Sequence, residues 1–370
     1  MRIVTIAFLI FFSFHITLCE CAELKTQKRS VSFFNRLGDK ISKKLISGMD
    51  TNYVALPEDP FSATLIYRGS HLRCGTVDPS CPVVDVLKEI FKATTSEVNM
   101  STGLRSSIGL GLSYRNLTVQ YFQSVNRGNG RLFNVSSYGN KYGGEIFYQS
   151  TSSVDASFRI TSRHGLDPIF IPDLDSYGDI EMSRLCINAY YVISNKKFSF
   201  LSAMRNSMIQ KRSAGSFITS LTYYRTNCNF SKNIALSAIF FQTDLRTITN
   251  QLALGFGYSY NIVMPKQTML HLSAQPMFVI NAKNYSTGNI DKSSPLSEII
   301  SKLLRPKNSI KNLHGVGFAC QCRLALYIPF SKRVYSSLNG EVFYFDSGYY
   351  NGFRTHTTDF VMYASLGVRF

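Results

Sequence analysis

The sequence lacks the motifs by which many enzymes are recognised. It contains no G-x-S-x-G nucleophile elbow, no phosphate-binding P-loop and no H-E-x-x-H zinc motif. Its G-x-G pairs at 109–111, 255–257 and 315–317 lack the third glycine of a dinucleotide fingerprint. No spacing of cysteine and histidine supports a zinc site. The sequence therefore predicts no cofactor, no metal and no catalytic residue.

Long apolar runs are also missing, with one exception at the start of the chain. Residues 3–18 are almost wholly apolar, Arg2 precedes them, and the small residues Cys19, Cys21 and Ala22 follow. This order is typical of a secretory signal peptide over residues 1–22, with cleavage near Cys21 or Ala22. Beyond it no apolar stretch approaches the roughly 18 residues that a membrane helix needs. The mature protein is therefore expected to be an exported soluble protein or a β-barrel.

Acidic residues are scarce: 23 Asp and Glu face 40 Lys and Arg, which gives a formal charge of +17. Such an excess indicates anionic partners, and nucleic acid is the usual first candidate. The export signal argues against nucleic acid. Phosphate-rich headgroups of outer-membrane lipid and lipopolysaccharide fit better, and a well-solvated basic exterior is the alternative.

Cysteines are few, and none of them forms a convincing metal pair. Cys74 and Cys81 lie seven residues apart in a loop-like segment, so an oxidising compartment could bridge them. Cys320 and Cys322 alternate with Phe318 and Leu324 on the apolar face of a predicted strand. Packing or lipid contact is the expected role of that second pair.

Strict alternation of apolar and polar residues is what the sequence has in abundance. The segment Phe360–Phe370, F-V-M-Y-A-S-L-G-V-R-F, is apolar at every second position. That period predicts a β-strand with one lipid-like face. The same alternation recurs in segments long enough to cross a bilayer as tilted strands, at 107–115, 154–161, 185–193, 251–262, 270–275 and 318–328.

The interleaved residues favour a barrel over a soluble β-sandwich. They are small residues with scattered charge, the mixture that a narrow polar lumen needs, and tyrosines and phenylalanines gather near strand ends as in aromatic girdles. Tryptophan, common in such girdles, is absent. We therefore predict an all-β fold, a single antiparallel transmembrane β-barrel of about 12 strands (10–14) over residues 61–370. The candidates for the polar lumen are Arg115, Glu145, Asp155, Arg159, His271, Gln321 and Arg323.

Four of these candidates, Arg115, Glu145, Asp155 and Arg159, could form an ion network that keeps the barrel closed, or equally a selectivity filter. His271 is expected to be a hydrogen-bonded lumenal histidine. At the end of the last strand, Ser365, Gly367 and Phe370 are predicted to form the signal read by the barrel assembly machinery.

Turn and helix signals complete the outline. Tight turns are predicted at Arg115-Asn116, Ser194 to Lys197 and Pro265 to Gln267, and longer polar connections at 125–140, 164–179, 226–249 and 284–313. The predicted hairpins are 105–124, 141–162, 180–209, 250–282 and 314–346. A basic amphipathic helix is expected over Val31 to Met49, within a lead-in of residues 23–60, where it could lie on a membrane or plug the barrel. A shorter helix is predicted over Leu296 to Leu304.

Several motifs resemble one known family. They are D-T-N-Y-V at 50–54, N-A-Y-Y-V-I-S-N-K-K-F-S-F at 188–200, Q-K-R-S-A-G-S-F at 210–217 and G-L-G-L-S-Y-R at 109–115. Over residues 50–370 the chain resembles the Bacteroidota outer-membrane family catalogued as domain of unknown function 4421. The resemblance implies an outer-membrane barrel, no assigned activity and no catalytic residues.

Three functions from different classes remain open on the sequence. The favoured one is a structural or pore-forming protein of the bacterial outer membrane with a polar lumen. The alternatives are a barrel enzyme acting on lipid or peptide at the membrane, with a site assembled from distant strands, and an exported soluble β-protein that binds a partner. The oligomeric state stays open.

Overall fold

The structure is a computed structural model of the chain. It describes residues 48–77, 93–126, 128–139, 141–152, 154–162, 169–171, 179–230, 242–290, 309–313, 317–348 and 354–370. The signal peptide, the amphipathic helix at 31–49 except for its last two residues, the loop helix at 296–304 and Cys81 lie outside these residues and stay predictions. No helix in the described part of the chain is long and apolar enough to cross a membrane.

Strands account for most of the described residues. In chain order they are β1 Val54–Ala55, β2 Phe61–Val77, β3 Ala93–Ser101, β4 Arg105–Tyr114, β5 Leu117–Ser124, β6 Gly130–Tyr138, β7 Tyr142–Thr151, β8 Asp155–Ser162, β9 Ile169–Ile171, β10 Glu181–Val192, β11 Ile209–Gln210, β12 Ala214–Asn229, β13 Gln242–Val263, β14 Met269–Ile290, β15 Ser309–Leu313, β16 Gly317–Pro329, β17 Val334–Asp346 and β18 Arg354–Arg369.

Twelve of the described strands form one closed antiparallel barrel, as the alternation predicted. The order around the wall is β2, β4, β5, β6, β7, β10, β12, β13, β14, β16, β17 and β18. The barrel closes because β18 pairs with β2, from Arg369 opposite Ser62 to Arg354 opposite Val77. Closure leaves no free edge on the barrel, which is what a sheet surrounded by lipid requires.

The two faces of the wall have opposite chemistry. On β13, Leu254, Phe256 and Tyr258 are exposed on the outside, while Gly255 and Ser259 are buried inside. A soluble β-sandwich would bury the apolar face instead, so that alternative is wrong for this fold. The exterior is a continuous apolar surface and the lumen is polar.

The connections differ between the two ends of the barrel. Tight turns at Arg115-Asn116 and at Pro265–Gln267 lie at the end where Phe61 pairs with Phe370, and they agree with the sequence prediction. At the opposite end the wall is extended by β3, which pairs with β2 and β8, by β9, which pairs with β8, and by β15, which pairs with β14.

Some of the local predictions are wrong. The hairpins at 105–124, 250–282 and 314–346 are present. Residues 141–162 are not a hairpin, because β7 pairs with β6 and β10 whereas β8 pairs with β3 and β9. Residues 180–209 are not one either, because the partner of β10 is β12. The connection predicted at 125–140 contains β6, and those predicted at 226–249 and 284–313 overlap β12, β13 and β14.

The connection between β10 and β12 departs most from the prediction. The turn at Ser194 to Lys197 does not lead back into the wall; the chain continues into a short helix, α1, at Phe200–Met204. Ser199 caps it, since its Oγ accepts a hydrogen bond from the Ser202 backbone N–H at 3.3 Å. Phe198, Phe200 and Leu201 are buried. We call residues 193–213 the plug segment.

Candidate functional site

The plug segment is attached to the inner face of β13 and β14. Asn261 donates from Nδ2 to the Ser199 carbonyl oxygen at 2.9 Å, and its Oδ1 lies 2.7 Å from His271 Nδ1. The His271 ring lies edge-on to Phe200, with 5.6 Å between ring centroids. His271 is therefore a packing and hydrogen-bonding partner of the plug at the tight-turn end of the lumen.

The plug segment also takes part in a small second sheet, through β11. In it β1 pairs with β11, with Val54 opposite Gln210, and Lys211 donates its N–H to the Tyr53 carbonyl at 2.7 Å. Gln210 also joins the two ends of the plug, because its Nε2 donates to the Lys197 and Arg212 carbonyls at 2.7 and 2.9 Å. The motifs at 50–54 and 210–217 thus meet at one end of the barrel.

One cluster of buried charges lies next to the plug. Arg323 donates to Glu145 at 2.6 Å and, from Nε, to Glu341 at 3.2 Å. Arg205, just after α1, lies 3.6 Å from the other oxygen of Glu145, which also accepts from the Tyr138 hydroxyl at 2.7 Å. Since buried charges are stable only when paired, this cluster ties the plug to three different strands of the wall.

A second cluster crosses the lumen further from the plug. Arg184 of β10 forms an ion pair with Asp359 of β18 and donates from Nε to Gln149 Oε1 at 2.9 Å. Arg68 of β2 donates to Ser70 Oγ at 2.7 Å and, at 3.5 Å, to the same oxygen of Gln149. These bonds connect strands from different parts of the wall across the barrel axis.

A cavity of about 110 Å³ lies between the plug and the second cluster. A cavity of that size has room for a group of water molecules or one small polar solute. Its described lining carries seven charged side chains, Arg68, Arg184, Arg205, Arg323, Glu145, Glu341 and Asp359. The arrangement can bind and orient a small charged or hydrogen-bonding molecule.

The predicted lumenal residues separate into two groups. Glu145, Gln321 and Arg323 line the cavity, and His271 is buried beside the plug. Arg115 instead lies in the tight turn between β4 and β5, with a left-handed backbone (φ 53°) and its Nε 3.4 Å from the Tyr114 hydroxyl. Asp155 and Arg159 lie on β8, opposite Ser101 and Glu97 of β3, in the extension beyond the barrel.

Sequence reasoning missed most of the charges that line the cavity. Arg68, Arg184, Arg205, Glu341 and Asp359 were not among the candidates. Arg68 had a readable signal, because Ile66, Arg68 and Ser70 share one face of β2 while Leu65 and Tyr67 share the other. Arg205 had none, because it lies in a connection and not in a strand.

The residues of the predicted assembly signal have close neighbours on both adjacent strands, β17 and β2. Ser365 Oγ lies 2.6 Å from Ser337 Oγ, and Phe370 stacks on Phe61 at 6.0 Å. Gly367 leaves room for Tyr335, since a Cβ there would lie 2.6 Å from the Tyr335 hydroxyl oxygen.

Of the two cysteines of the predicted disulfide, Cys74 lies in the described residues and Cys81 does not. Cys74 is buried on the lumenal face of β2, and the Thr357 hydroxyl lies 3.7 Å from its sulfur. Its bridge to Cys81 stays a prediction. Cys320 and Cys322 lie on the outer face of β16, with their sulfurs 3.8 Å apart.

A closed wall with an apolar exterior and a polar, plugged lumen defines an outer-membrane-type β-barrel. The chain belongs to the family described as "Domain of unknown function (DUF4421)", whose model matches residues 49–339.

Three solved structures illustrate what the fold is similar to. The outer-membrane protease OmpT from Escherichia coli has a TM-score of 0.45 at 8% identity, covering 85% of this chain and 97% of that one. The β domain of the Bordetella autotransporter BrkA has a TM-score of 0.33 at 9% identity, covering 84% and 99%. OprG from Pseudomonas aeruginosa has a TM-score of 0.27 at 11% identity, covering 87% and 99%. No curated protein matches the sequence.

Proposed function

We propose that this protein lies in the bacterial outer membrane and provides a gated pathway for small polar solutes. Its apolar exterior would contact lipid, the tight-turn end with the plug would face the periplasm, and the long connections would face outward, towards lipopolysaccharide. Export by the predicted signal peptide and insertion by the barrel assembly machinery belong to this proposal.

The single observation that carries the proposal is the charged cavity between the plug and the Arg184–Asp359 pair. Barrels of about eight strands are filled by their own side chains, whereas those of 16 to 18 leave an aqueous channel. Twelve strands lie between these sizes, so the wall leaves space that α1 and its flanking residues occupy. A closing element built from a connection can leave the lumen without breaking any pairing between the strands of the barrel wall.

The nature of the contacts favours a movable plug over a permanent core. Polar side chains attach the plug to the wall at Asn261, Glu145 and Ser136, the last accepting from Arg205 Nε at 2.7 Å. Water can replace such hydrogen bonds when the segment moves, which makes their net contribution small. Burial of the apolar side chains of Phe198 and Phe200 favours the closed state.

Conductance across planar bilayers tests the proposal. The wild-type protein is expected to be mostly closed, and a variant in which residues 198–207 are replaced by a short Gly/Ser turn is expected to show stepwise opening. The matched control replaces the tight turn at 330–333, which lies at the same end of the barrel and carries no plug. Heat-modifiable migration on gels shows that each variant is a folded barrel.

A disulfide that can be formed and reduced distinguishes gating by the plug from unspecific damage to the barrel. Ser202 Oγ lies 3.5 Å from Asn261 Nδ2, so the pair Ser202→Cys and Asn261→Cys can cross-link the plug to β13. Openings that appear only after reduction support the proposal. A folded, plug-replaced barrel without any conductance would leave the protein a structural barrel.

A further inference from the structure

Arg68 is the most unusual charge in the lumen. Its side chain is 1% exposed and lines the cavity, yet its Nε has no hydrogen-bond partner. The bonds that it does make go to uncharged groups, the Ser70 hydroxyl, the Gln149 amide and the Tyr363 hydroxyl. In the part of the chain that the structure describes, no carboxylate oxygen lies within ion-pair distance of it. Arginines this deeply buried are normally paired, because an isolated charge is costly to bury.

The charges around Arg68 do not compensate it. Gln149 Oε1 is shared between Arg68 and Arg184, so two guanidinium groups converge on one neutral acceptor. Asp359 binds Arg184 through Oδ2. Near the plug, Glu145 and Glu341 are bound to Arg323 and Arg205. The described cavity lining therefore carries one more arginine than carboxylates, and the excess lies on the Arg68 side.

We infer that the cavity is a binding site for a small anion, held by the guanidinium of Arg68 with that of Arg184 beside it. A carboxylate or phosphate group matches the planar fork of an arginine and would accept from the unpartnered Nε. The Tyr363 ring, whose centroid lies 5.8 Å from the guanidinium carbon of Arg68, forms part of the cavity wall and limits the size of the ligand. This inference rests on the proposed role of the cavity as a solute site and names the solute class.

Titration calorimetry on the folded full-length protein in detergent tests the site with the plug in place. The probes are sodium acetate and inorganic phosphate, in a buffer whose only other anion is a bulky sulfonate. Wild type is expected to bind one of them at one site per barrel. Arg68→Met should weaken binding about tenfold or more, because a charge-assisted bond is lost, and Arg68→Lys should restore part of it. Arg73→Met is the matched control, since Arg73 lies on the same strand and points outward to His71.

A second variant changes the affinity in the opposite direction. Asp359→Asn removes the carboxylate that holds Arg184, so the cavity becomes more positive and acetate or phosphate should bind more tightly. If Arg68→Met fails to fold, the affinity of Asp359→Asn for acetate and phosphate still tests the inference.

The possible outcomes separate cleanly. Binding of acetate alone assigns a carboxylate ligand, and binding of phosphate alone assigns a phosphate ligand. If wild type binds neither probe, or if Arg68→Met and Asp359→Asn leave the affinity unchanged, water alone solvates Arg68 and the inference is wrong. Because calorimetry detects binding and the bilayer experiment detects passage, failure of one is distinguishable from failure of the other.

Discussion

At the residue scale, the two faces of each barrel strand follow opposite rules. On β13 the outward Leu254 is 49% exposed, whereas the inward Gly255 is buried against Ser220 and Met277. Outside, the side chains need only be apolar if, as proposed above, they face fluid acyl chains. Inside, volume and hydrogen bonding are both limiting, so small residues and paired charges dominate.

Leu254→Arg tests the outward face. A midplane arginine facing lipid costs roughly 2–4 kcal/mol, whereas one near an interface costs about 0–1 kcal/mol. The matched control is Leu104→Arg, because Leu104 is 65% exposed but precedes β4 at the rim. Reversible urea unfolding in lipid vesicles measures both free energies of unfolding. Equal costs at the two positions would mean that the exterior does not contact hydrocarbon.

The neighbouring inward position is tightly packed. Gly255 points into the lumen and is buried. A Cβ there would lie 2.6 Å from Ser220 Oγ and 2.7 Å from Met277 Cγ. The site is filled, so a serine at this position must displace the flexible Met277 side chain.

At the scale of elements, the plug segment is the part of the molecule with the most unusual design. A connection between two neighbouring strands usually needs only a few residues, yet residues 193–213 enter the lumen and form α1. It is bound to β13 by the fully buried amide of Asn261 and, at the end of the segment, by Ser213 Oγ, which accepts from the Val263 N–H at 2.9 Å. The stability of the closed state is therefore concentrated in a few side chains.

Asn261→Leu should loosen the plug without opening the barrel. The change keeps the number and branching of side-chain heavy atoms. It leaves His271 Nδ1 without its partner, at a cost of roughly 1–3 kcal/mol for an unsatisfied buried group, and removes one of two donors to the Ser199 carbonyl, which Ser202 Oγ still binds at 2.7 Å. Faster protease cleavage within 193–213, with unchanged heat-modifiability, is the expected result. The control is Asn250→Leu, on the same strand but bonded to Tyr223 on the outer face. Equal cleavage in both variants would remove Asn261 from this role.

At the scale of the whole molecule, the seam between β2 and β18 decides whether the sheet becomes a barrel. These strands are the farthest apart in the sequence, and they pair over their full length. At the tight-turn end the seam is completed by Phe61 and Phe370, which exchange backbone hydrogen bonds of 3.3 and 3.0 Å and stack their rings.

Phe370→Ala should reduce assembly more than stability. The side chain is 52% exposed in the folded barrel, so its loss removes less than the roughly 1.5–3 kcal/mol of a fully buried phenylalanine. We expect a lower yield in outer-membrane fractions and nearly normal unfolding of the barrels that do form. Val368→Ala, on the same outward face, is the control. Identical yields for both variants would show that Phe370 is an ordinary strand residue.

A strand could be predicted where its own residues alternate between apolar and polar, whereas the pairing of strands could not be predicted where the partners are distant in sequence. Most wall strands were found because each carries its own apolar face, although β2 and β12 were not among the predicted segments. β6 was missed because its outward residues, Phe133, Val135 and Ser137, are mixed in character and its inward Asn134 and Ser136 are polar. The hairpin at 141–162 was wrong for another reason: β8 alternates correctly, but its partner β3 lies far away in sequence.

The alternating pattern was sufficient to predict a closed barrel of about twelve strands and the outward face of the strands that it identified. Each of these follows from the solvent that a single side chain meets, and that preference is written in the period of two. The groups that fill the lumen could not be predicted from the sequence and are seen only in the folded barrel. They are the plug segment, Gln149 shared by Arg68 and Arg184, and Glu145 paired with Arg323 and Arg205. Those contacts join strands that are distant in the chain, and they exist only because closure of the barrel brings opposite walls within reach of one another.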